Sequence, residues 1–189
     1  MALTFANKIT LCRILAVPFF IAALVSYTPE RDYLRFVALG IFLFAVISDV
    51  IDGYVARRWR QKTKAGAILD PVADKLLLMS AFICLYFISP LFNAVKLPLW
   101  FVVLVISRDF ILLVGAMIIH IMNGDLEVEA TLWGKVCTFF QVLTVLDILM
   151  QWKLSPAIWY ITIIFIIVSA FDYVRTGIKV LNNGIETKL

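Results

Sequence analysis

Four aspartates lie in two closely spaced pairs within otherwise apolar sequence, Asp49 with Asp52 and Asp70 with Asp74. On helices, spacings of i,i+3 and i,i+4 place the members of each pair on one face. Carboxylate oxygens are the ligands that hard divalent cations such as Mg²⁺ and Mn²⁺ take in proteins. Two such ions balance four carboxylate charges, and paired ions stabilise displacement at phosphorus. The pattern therefore predicts a site for two divalent cations, Mg²⁺ or Mn²⁺.

Small residues and an arginine accompany the acids. Gly53 and Gly66 each lie within about one helical turn of an aspartate. Glycine destabilises a helix by about 1 kcal/mol relative to alanine, so these positions indicate that a bulky group approaches the backbone closely. Ala56 widens the same opening, and the guanidinium of Arg57 suits a diphosphate. These residue types predict a phosphorylated substrate.

Two other interpretations account for acids in apolar sequence. In the first, the aspartates neutralise Arg57, Arg58 and Lys75 in ordinary ion pairs, and the glycines serve helix packing. In the second, the chain is a proton- or cation-coupled transporter, because transporters also carry acids within membrane helices. A transporter gives no reason for glycine and arginine at fixed spacing between the aspartates. An enzyme site that binds divalent cations and a phosphorylated substrate is therefore favoured.

The sequence around these groups is that of a membrane protein. Hydrophobic residues make up 63% of 189 positions and the mean hydropathy is +0.99, whereas a soluble domain has about 45–50% apolar residues. A helix needs about 20 residues to cross a bilayer, and six apolar runs are long enough: Ile9–Tyr27, Tyr33–Arg57, Ala65–Ile88, Leu97–Ile121, Leu132–Gln151 and Pro156–Val180. We expect one all-α integral membrane domain over residues 1–189, with six transmembrane helices and a short N-terminal interfacial segment. No cleavage motif follows the first run, which favours a retained helix over a signal peptide.

The distribution of lysine and arginine orients the predicted helices. The connection between the second and third runs is the most basic, with Arg57, Arg58, Arg60, Lys62 and Lys64. Cytoplasmic loops carry such an excess, so this connection, both termini and the acidic site are expected to face the cytoplasm. The net charge of +4 is too small to indicate nucleic acid as a partner and suits anionic headgroups or phosphorylated substrates.

The segment from Asp49 to Asp74 resembles the signature of the CDP-alcohol phosphotransferase family, D-x2-D-G-x2-A-R-x8-G-x3-D-x3-D. It reads D-V-I-D-G-Y-V-A-R-R-W-R-Q-K-T-K-A-G-A-I-L-D-P-V-A-D, and all eight fixed positions match at the correct spacing. The opening Asn7-Lys8-Ile9-Thr10-Leu11-Cys12-Arg13 resembles the N-x2-T-x2-R of the phosphatidylglycerophosphate synthases and their relatives within that family. Six helices also match the family fold, so the resemblance covers nearly the whole chain.

The resemblance implies a role for each matching residue. Asp49, Asp52 and Asp70 are implied metal ligands, and Asp74 is implied to complete the metal site and to act as general base. The implied CDP-lipid-binding residues are Asp49, Gly53, Ala56, Arg57, Gly66 and Thr10. The family further implies a homodimer, expected in the bacterial inner membrane, that binds CDP-diacylglycerol from the cytoplasmic side.

The acceptor alcohol is indicated by a second group of residues. Arg108 and Lys135 are cations within or beside predicted helices, with Thr138 one turn after Lys135, and they suit an anionic acceptor. A structural interpretation is also open, in which Arg108 pairs with Asp109 and Lys135 extends to the membrane interface.

Two patterns point to different acceptors. The Gly-Lys-x2-Thr-x2-Gln run ending at Gln141 resembles family members that use glycerol 3-phosphate. The triplet Ser107-Arg108-Asp109 instead resembles the CDP-dependent cardiolipin synthases, whose acceptor is phosphatidylglycerol. The favoured reaction transfers a phosphatidyl group from CDP-diacylglycerol to glycerol 3-phosphate and releases CMP, with phosphatidylglycerol as the alternative acceptor.

Overall fold

The computed structural model describes the backbone of residues 5–59, 64–92, 96–123, 132–152 and 155–186, and within these the side chains of residues 11–50, 73, 75–92, 96–115, 132–152, 156–173 and 175. The described chain holds six α-helices: α1 (Phe5–Val25), α2 (Tyr33–Trp59), α3 (Lys64–Ile88), α4 (Leu99–Asn123), α5 (Leu132–Met150) and α6 (Ser155–Glu186). Short 3-10 turns lie at Pro29–Arg31 and Ser89–Leu91, and the described residues contain no strand. The all-α prediction is confirmed, and each helix overlaps one predicted apolar run.

The first helix begins early in the chain. α1 is continuous from Phe5, so residues 5–12, for which an interfacial segment is predicted, belong to the same helix as the apolar run. The reason is local, because no glycine or proline separates these residues from the apolar run. Pro18 lies inside α1, and membrane helices tolerate proline where neighbouring groups satisfy the freed carbonyl.

Turn residues end the helices where the apolar runs stop. Thr28, which precedes Pro29, is extended at φ −138° and ψ 154°, because proline disfavours helical backbone at the preceding residue. α5 ends with Gln151 in the left-handed region at φ 55°. The Gln151 amide then donates to the Ile148 carbonyl at 3.1 Å, and the Trp152 amide to the Asp147 carbonyl at 3.0 Å. This is a Schellman motif, which satisfies the last carbonyls of the helix.

Three described segments are long and apolar enough to cross a membrane: Tyr33–Val50, Leu132–Met150 and Pro156–Tyr173. Large apolar side chains such as Phe19, Phe87 and Phe171 are more than two-thirds exposed, and the alkyl chains of a bilayer would cover them. These features indicate a membrane protein.

The chain divides into two compact units. The first holds Met1–Val102 and Val145–Lys153, and in it α1 packs against both α2 and α3. Aromatic pairs fill its interior, including Phe20 with Phe42 at 5.8 Å between ring centroids and Phe82 with Phe101 at 6.0 Å.

The second unit holds Val103–Thr144 and Leu154–Leu189. Its α5 and α6 meet through the rings of Phe140 and Phe165, stacked with centroids 4.8 Å apart. The hydroxyls of Thr144 and Thr162, on the same two helices, lie 3.2 Å apart. The packing of this unit therefore combines ring stacking with buried hydroxyl contacts.

Candidate metal and substrate site

The eight signature positions divide between two consecutive helices. α2 carries Asp49, Asp52, Gly53, Ala56 and Arg57, and α3 carries Gly66, Asp70 and Asp74. On a helix, residues three or four apart share a face, so each aspartate pair has the common face expected from its spacing. α1 packs against both of the helices that carry the signature.

Asp49 is the signature residue whose side-chain contacts the structure describes. Its Oδ1 lies 2.7 Å from Nη1 of Arg13 on α1, and its side chain is 38% exposed whereas that of Arg13 is 1% exposed. Its Oδ2 has no partner among the described residues. An arginine stays charged even when buried, so it requires an anionic or polar partner. The pair therefore joins α1 to α2 and leaves one carboxylate oxygen of Asp49 available to a ligand.

The other predicted residues of this site have side chains outside the described part of the chain: Thr10, Asp52, Gly53, Ala56, Arg57, Gly66, Asp70 and Asp74. Among the described side chains no group of three or more metal-ligating residues occurs, and only Asp49 of the four aspartates is among them. The convergence of the four carboxylates therefore stays a prediction.

Arg13 is the residue of this site to which sequence reasoning assigned no role beyond its place in the opening pattern. A signal was present, because a cation within an apolar membrane helix is costly and marks a functional position. Its partner was not readable, since spacing along the chain does not say which acid on another helix it meets.

A second polar group lies inside the second unit. Arg108 donates from Nη1 to Oδ1 of Asp109 at 2.6 Å and from Nη2 to the hydroxyl of Ser169. The amide of Gln141 lies 3.4 Å from the same Asp109 oxygen. All four residues are buried. These contacts match the structural interpretation of Arg108, in which it pairs with Asp109, and they connect α4 with α5 and α6.

Lys135 and Thr138 lie one turn apart near the start of α5. The Thr138 hydroxyl donates to the Gly134 carbonyl at 3.1 Å, which leaves its oxygen able to accept a hydrogen bond. Lys135 is exposed and forms no ion pair with a described residue. Through Gln141, Asp109 links Arg108 to α5, the helix that carries the two other predicted acceptor residues.

Comparison with known proteins identifies the family. The family model described as CDP-alcohol phosphatidyltransferase matches residues 3–171. A probable phosphatidylglycerophosphate synthase of Mycobacterium tuberculosis is 35% identical over 141 residues, which cover 74% of this chain and 63% of the relative. The chain thus matches less than two thirds of that relative's length.

Two further relatives carry the name CDP-diacylglycerol–glycerol-3-phosphate 3-phosphatidyltransferase. The Haemophilus influenzae protein is 30% identical over 183 residues, covering 94% of this chain and 95% of the relative. The Escherichia coli K12 protein is 47% identical over 75 residues, covering 40% of each chain. Since the family model spans most of the chain and the signature lies complete on α2 and α3, the resemblance is confirmed: the chain belongs to the CDP-alcohol phosphatidyltransferase family.

Proposed function

We propose that this chain transfers a phosphatidyl group from CDP-diacylglycerol to glycerol 3-phosphate and releases CMP. The observation that carries the proposal is the complete signature on two consecutive helices, both of which pack against α1. The names of the relatives that align over almost their whole length support glycerol 3-phosphate as the acceptor.

Asp49, the aspartate whose side chain the structure describes, suits a hard divalent cation. Asp49 presents a carboxylate at the edge of the packed helices, with Oδ1 held by Arg13 and Oδ2 without a described partner. Asp49, Asp52, Asp70 and Asp74 are the proposed ligands of two divalent cations, for which Mg²⁺ is the expected ion. Such cations, when bound, stabilise the negative charge that develops on the diphosphate.

The remaining signature residues have proposed roles in binding and proton transfer. Gly53, Ala56 and Gly66 leave room for the CDP group, Thr10 contributes to the same pocket, and Arg57 donates to the diphosphate. Asp74 accepts the proton of the acceptor hydroxyl while the oxygen of that hydroxyl forms a bond to the lipid-side phosphorus. The bond from that phosphorus to the bridging oxygen breaks, and CMP leaves with that oxygen. The transfer is direct and needs no covalent enzyme intermediate.

Arg108, Lys135 and Thr138 are the proposed acceptor-binding residues. Since Asp109 already offsets the charge of Arg108, the pair is neutral, and Lys135 supplies the net positive charge for an anionic acceptor. The Nε of Arg108 is buried without a described partner, so one donor of the guanidinium is still available. The Thr138 oxygen can accept a hydrogen bond from an acceptor hydroxyl.

The proposed setting is a single domain over residues 1–189 with six membrane-spanning helices. We place it in the bacterial inner membrane as a homodimer, with both termini and the site facing the cytoplasm. Five lysines and arginines between residues 57 and 64 support that orientation.

CMP release by the purified chain tests the reaction. The chain would receive CDP-diacylglycerol and Mg²⁺, with glycerol 3-phosphate in one assay and phosphatidylglycerol in the other. Release that depends on glycerol 3-phosphate supports the proposal. Release that depends on phosphatidylglycerol would instead make it a cardiolipin synthase, which the Ser107-Arg108-Asp109 triplet favours. Ion-driven substrate transport without CMP would support a transporter and contradict both.

A further inference from the structure

Arg13 occupies a position where charge is costly. It lies on α1 between Cys12 and Ile14, and its side chain is 1% exposed. Removing a guanidinium from water is expensive, and the cost is offset only by a well-placed partner. Arg13 forms an ion pair with Asp49, the first aspartate of the signature. A buried cation on α1 therefore acts directly on a proposed metal ligand.

The geometry of the pair suits a role in orientation. Arg13 Nη1 holds Oδ1 of Asp49 at 2.7 Å, and the Asp49 side chain is 38% exposed. Fixing one oxygen from the buried side restricts the torsion of the carboxylate and so sets the direction of Oδ2. Partners that hold a ligand in this way change metal affinity or activity by about 10–100-fold when they are removed.

We infer that Arg13 is a positioning residue for Asp49, holding this carboxylate in the geometry that a small octahedral cation requires. The inference rests on the proposed function, which makes Asp49 a metal ligand. It assigns a role to the arginine of the opening pattern and explains why a cation is retained inside α1.

Charge and geometry have opposite effects on metal affinity. Loss of the positive charge of Arg13 would favour every divalent cation to a similar degree, because the Coulomb energy depends on ionic charge and distance. Loss of the geometry would penalise Mg²⁺ more than Ca²⁺, because Mg²⁺ demands near-ideal octahedral coordination whereas Ca²⁺ accepts irregular sites. The ratio of the two affinities therefore isolates the positioning effect from the charge effect.

The experiment measures Mn²⁺ binding to the purified full chain by electron paramagnetic resonance, without lipid substrate, and displaces Mn²⁺ with Mg²⁺ or Ca²⁺. We expect Arg13→Gln to reduce the preference for Mg²⁺ over Ca²⁺ by about tenfold. Arg13→Lys keeps the positive charge but changes the contact with Asp49. We therefore expect its preference for Mg²⁺ over Ca²⁺ to lie between that of the wild type and that of the glutamine variant. An unchanged ratio of the Mg²⁺ and Ca²⁺ affinities in Arg13→Gln overturns the inference. If the glutamine variant does not fold, an unchanged ratio in Arg13→Lys overturns it instead.

Two further variants separate the possible failures. Arg35→Gln removes another buried arginine of the first unit, one that pairs with Asp32, and it should leave the ratio unchanged. Asp49→Asn should weaken binding of all three ions. Normal binding in Asp49→Asn would contradict the metal assignment itself, whereas weakened binding there with an unchanged ratio in the Arg13 variants contradicts only the role of Arg13.

Discussion

Arg35 and Asp32 are joined by two parallel hydrogen bonds at the start of α2, Nε to Oδ1 at 2.9 Å and Nη2 to Oδ2 at 2.8 Å. The third donor of the guanidinium, Nη1, binds the Leu149 carbonyl near the end of α5 at 2.8 Å. The group also lies over the ring of Phe36, 4.5 Å from its centroid. Asp32 therefore orients an arginine that ties two helices of the first unit together.

This pair predicts a pH dependence of stability. The hydrogen bond from Arg35 is the largest cause of a lowered pKa of Asp32; burial opposes it, and the Arg35 charge and the Tyr27 hydroxyl add to the lowering. A carboxyl with a lowered folded-state pKa stabilises the fold above its unfolded value, about 3.9, and loses that contribution as pH falls through the folded value. We expect Asp32→Asn to lower the thermal midpoint by a constant amount above about pH 5. The difference should shrink below about pH 4.

Thermal unfolding in detergent at several pH values checks this prediction. Because the Asp32 side chain is 45% exposed, the effect is expected to be small. A difference between wild type and Asp32→Asn that stays constant down to the lowest pH would contradict it.

Gly115 predicts a steric effect within the second unit. A Cβ at this position would overlap the hydroxyl of Tyr173 on α6 and lie 2.9 Å from Cζ of its ring. The ring must move to accept it, and such overpacking costs about 1–3 kcal/mol. We therefore expect Gly115→Ala to lower the thermal midpoint in detergent.

Gly40 provides the matched control, because a Cβ there meets nothing within 4 Å. Gly40→Ala should be neutral or slightly stabilising, since alanine is the better helix former. A Tyr173→Ala substitution should remove most of the penalty of Gly115→Ala. Equal effects of the two glycine substitutions would show that Tyr173 does not limit the space at Gly115.

We expect Asp74→Asn to slow the transfer reaction without loss of CDP-diacylglycerol binding. The amide keeps the size of the side chain but cannot take the acceptor proton, and a general base contributes about 10²–10⁴-fold to the rate. At saturating Mg²⁺ we expect kcat for CMP release to fall by about that factor. Binding of CDP-diacylglycerol should persist. Near-normal turnover would remove Asp74 as the base.

We expect Lys135→Met to weaken binding of the acceptor alcohol selectively. Hydrogen bonds to charged groups contribute about 1.5–3 kcal/mol, so KM for glycerol 3-phosphate should rise about tenfold or more. KM for CDP-diacylglycerol should stay within about twofold if Lys135 contacts only the acceptor. Lys96→Met, at another exposed lysine, is the control and should change neither constant. Equal rises in both constants would place Lys135 outside the acceptor site.

Much of the fold was determined by the sequence. The length and hydropathy of an apolar run are local properties, and a bilayer requires backbone hydrogen bonds to close within each helix. The helices therefore follow the apolar runs, with α3 ending at Ile88 as predicted and α5 beginning at Leu132. The signature was equally readable, because its fixed spacing places chemistry at defined helix positions. The left-handed Gln151 that ends α5 was not anticipated, since its conformation depends on the hydrogen bonds of the turn.

Tertiary structure decided which charges meet. Asp32 and Asp109 are close in sequence to Arg35 and Arg108, and their spacing is compatible with pairing. Nothing in the spacing indicates Asp49 as a partner of Arg13, or the longer contacts of Arg35 with the Leu149 carbonyl 114 positions away and of Arg108 with Ser169 61 positions away. A buried guanidinium pairs with whichever acceptor helix packing brings within reach, and that is a property of neighbouring helices rather than of any one run. The sequence by itself determined the helices, the family and the chemical groups of the site. Only the packing of α1 against α2 and α3 joined Arg13 to Asp49.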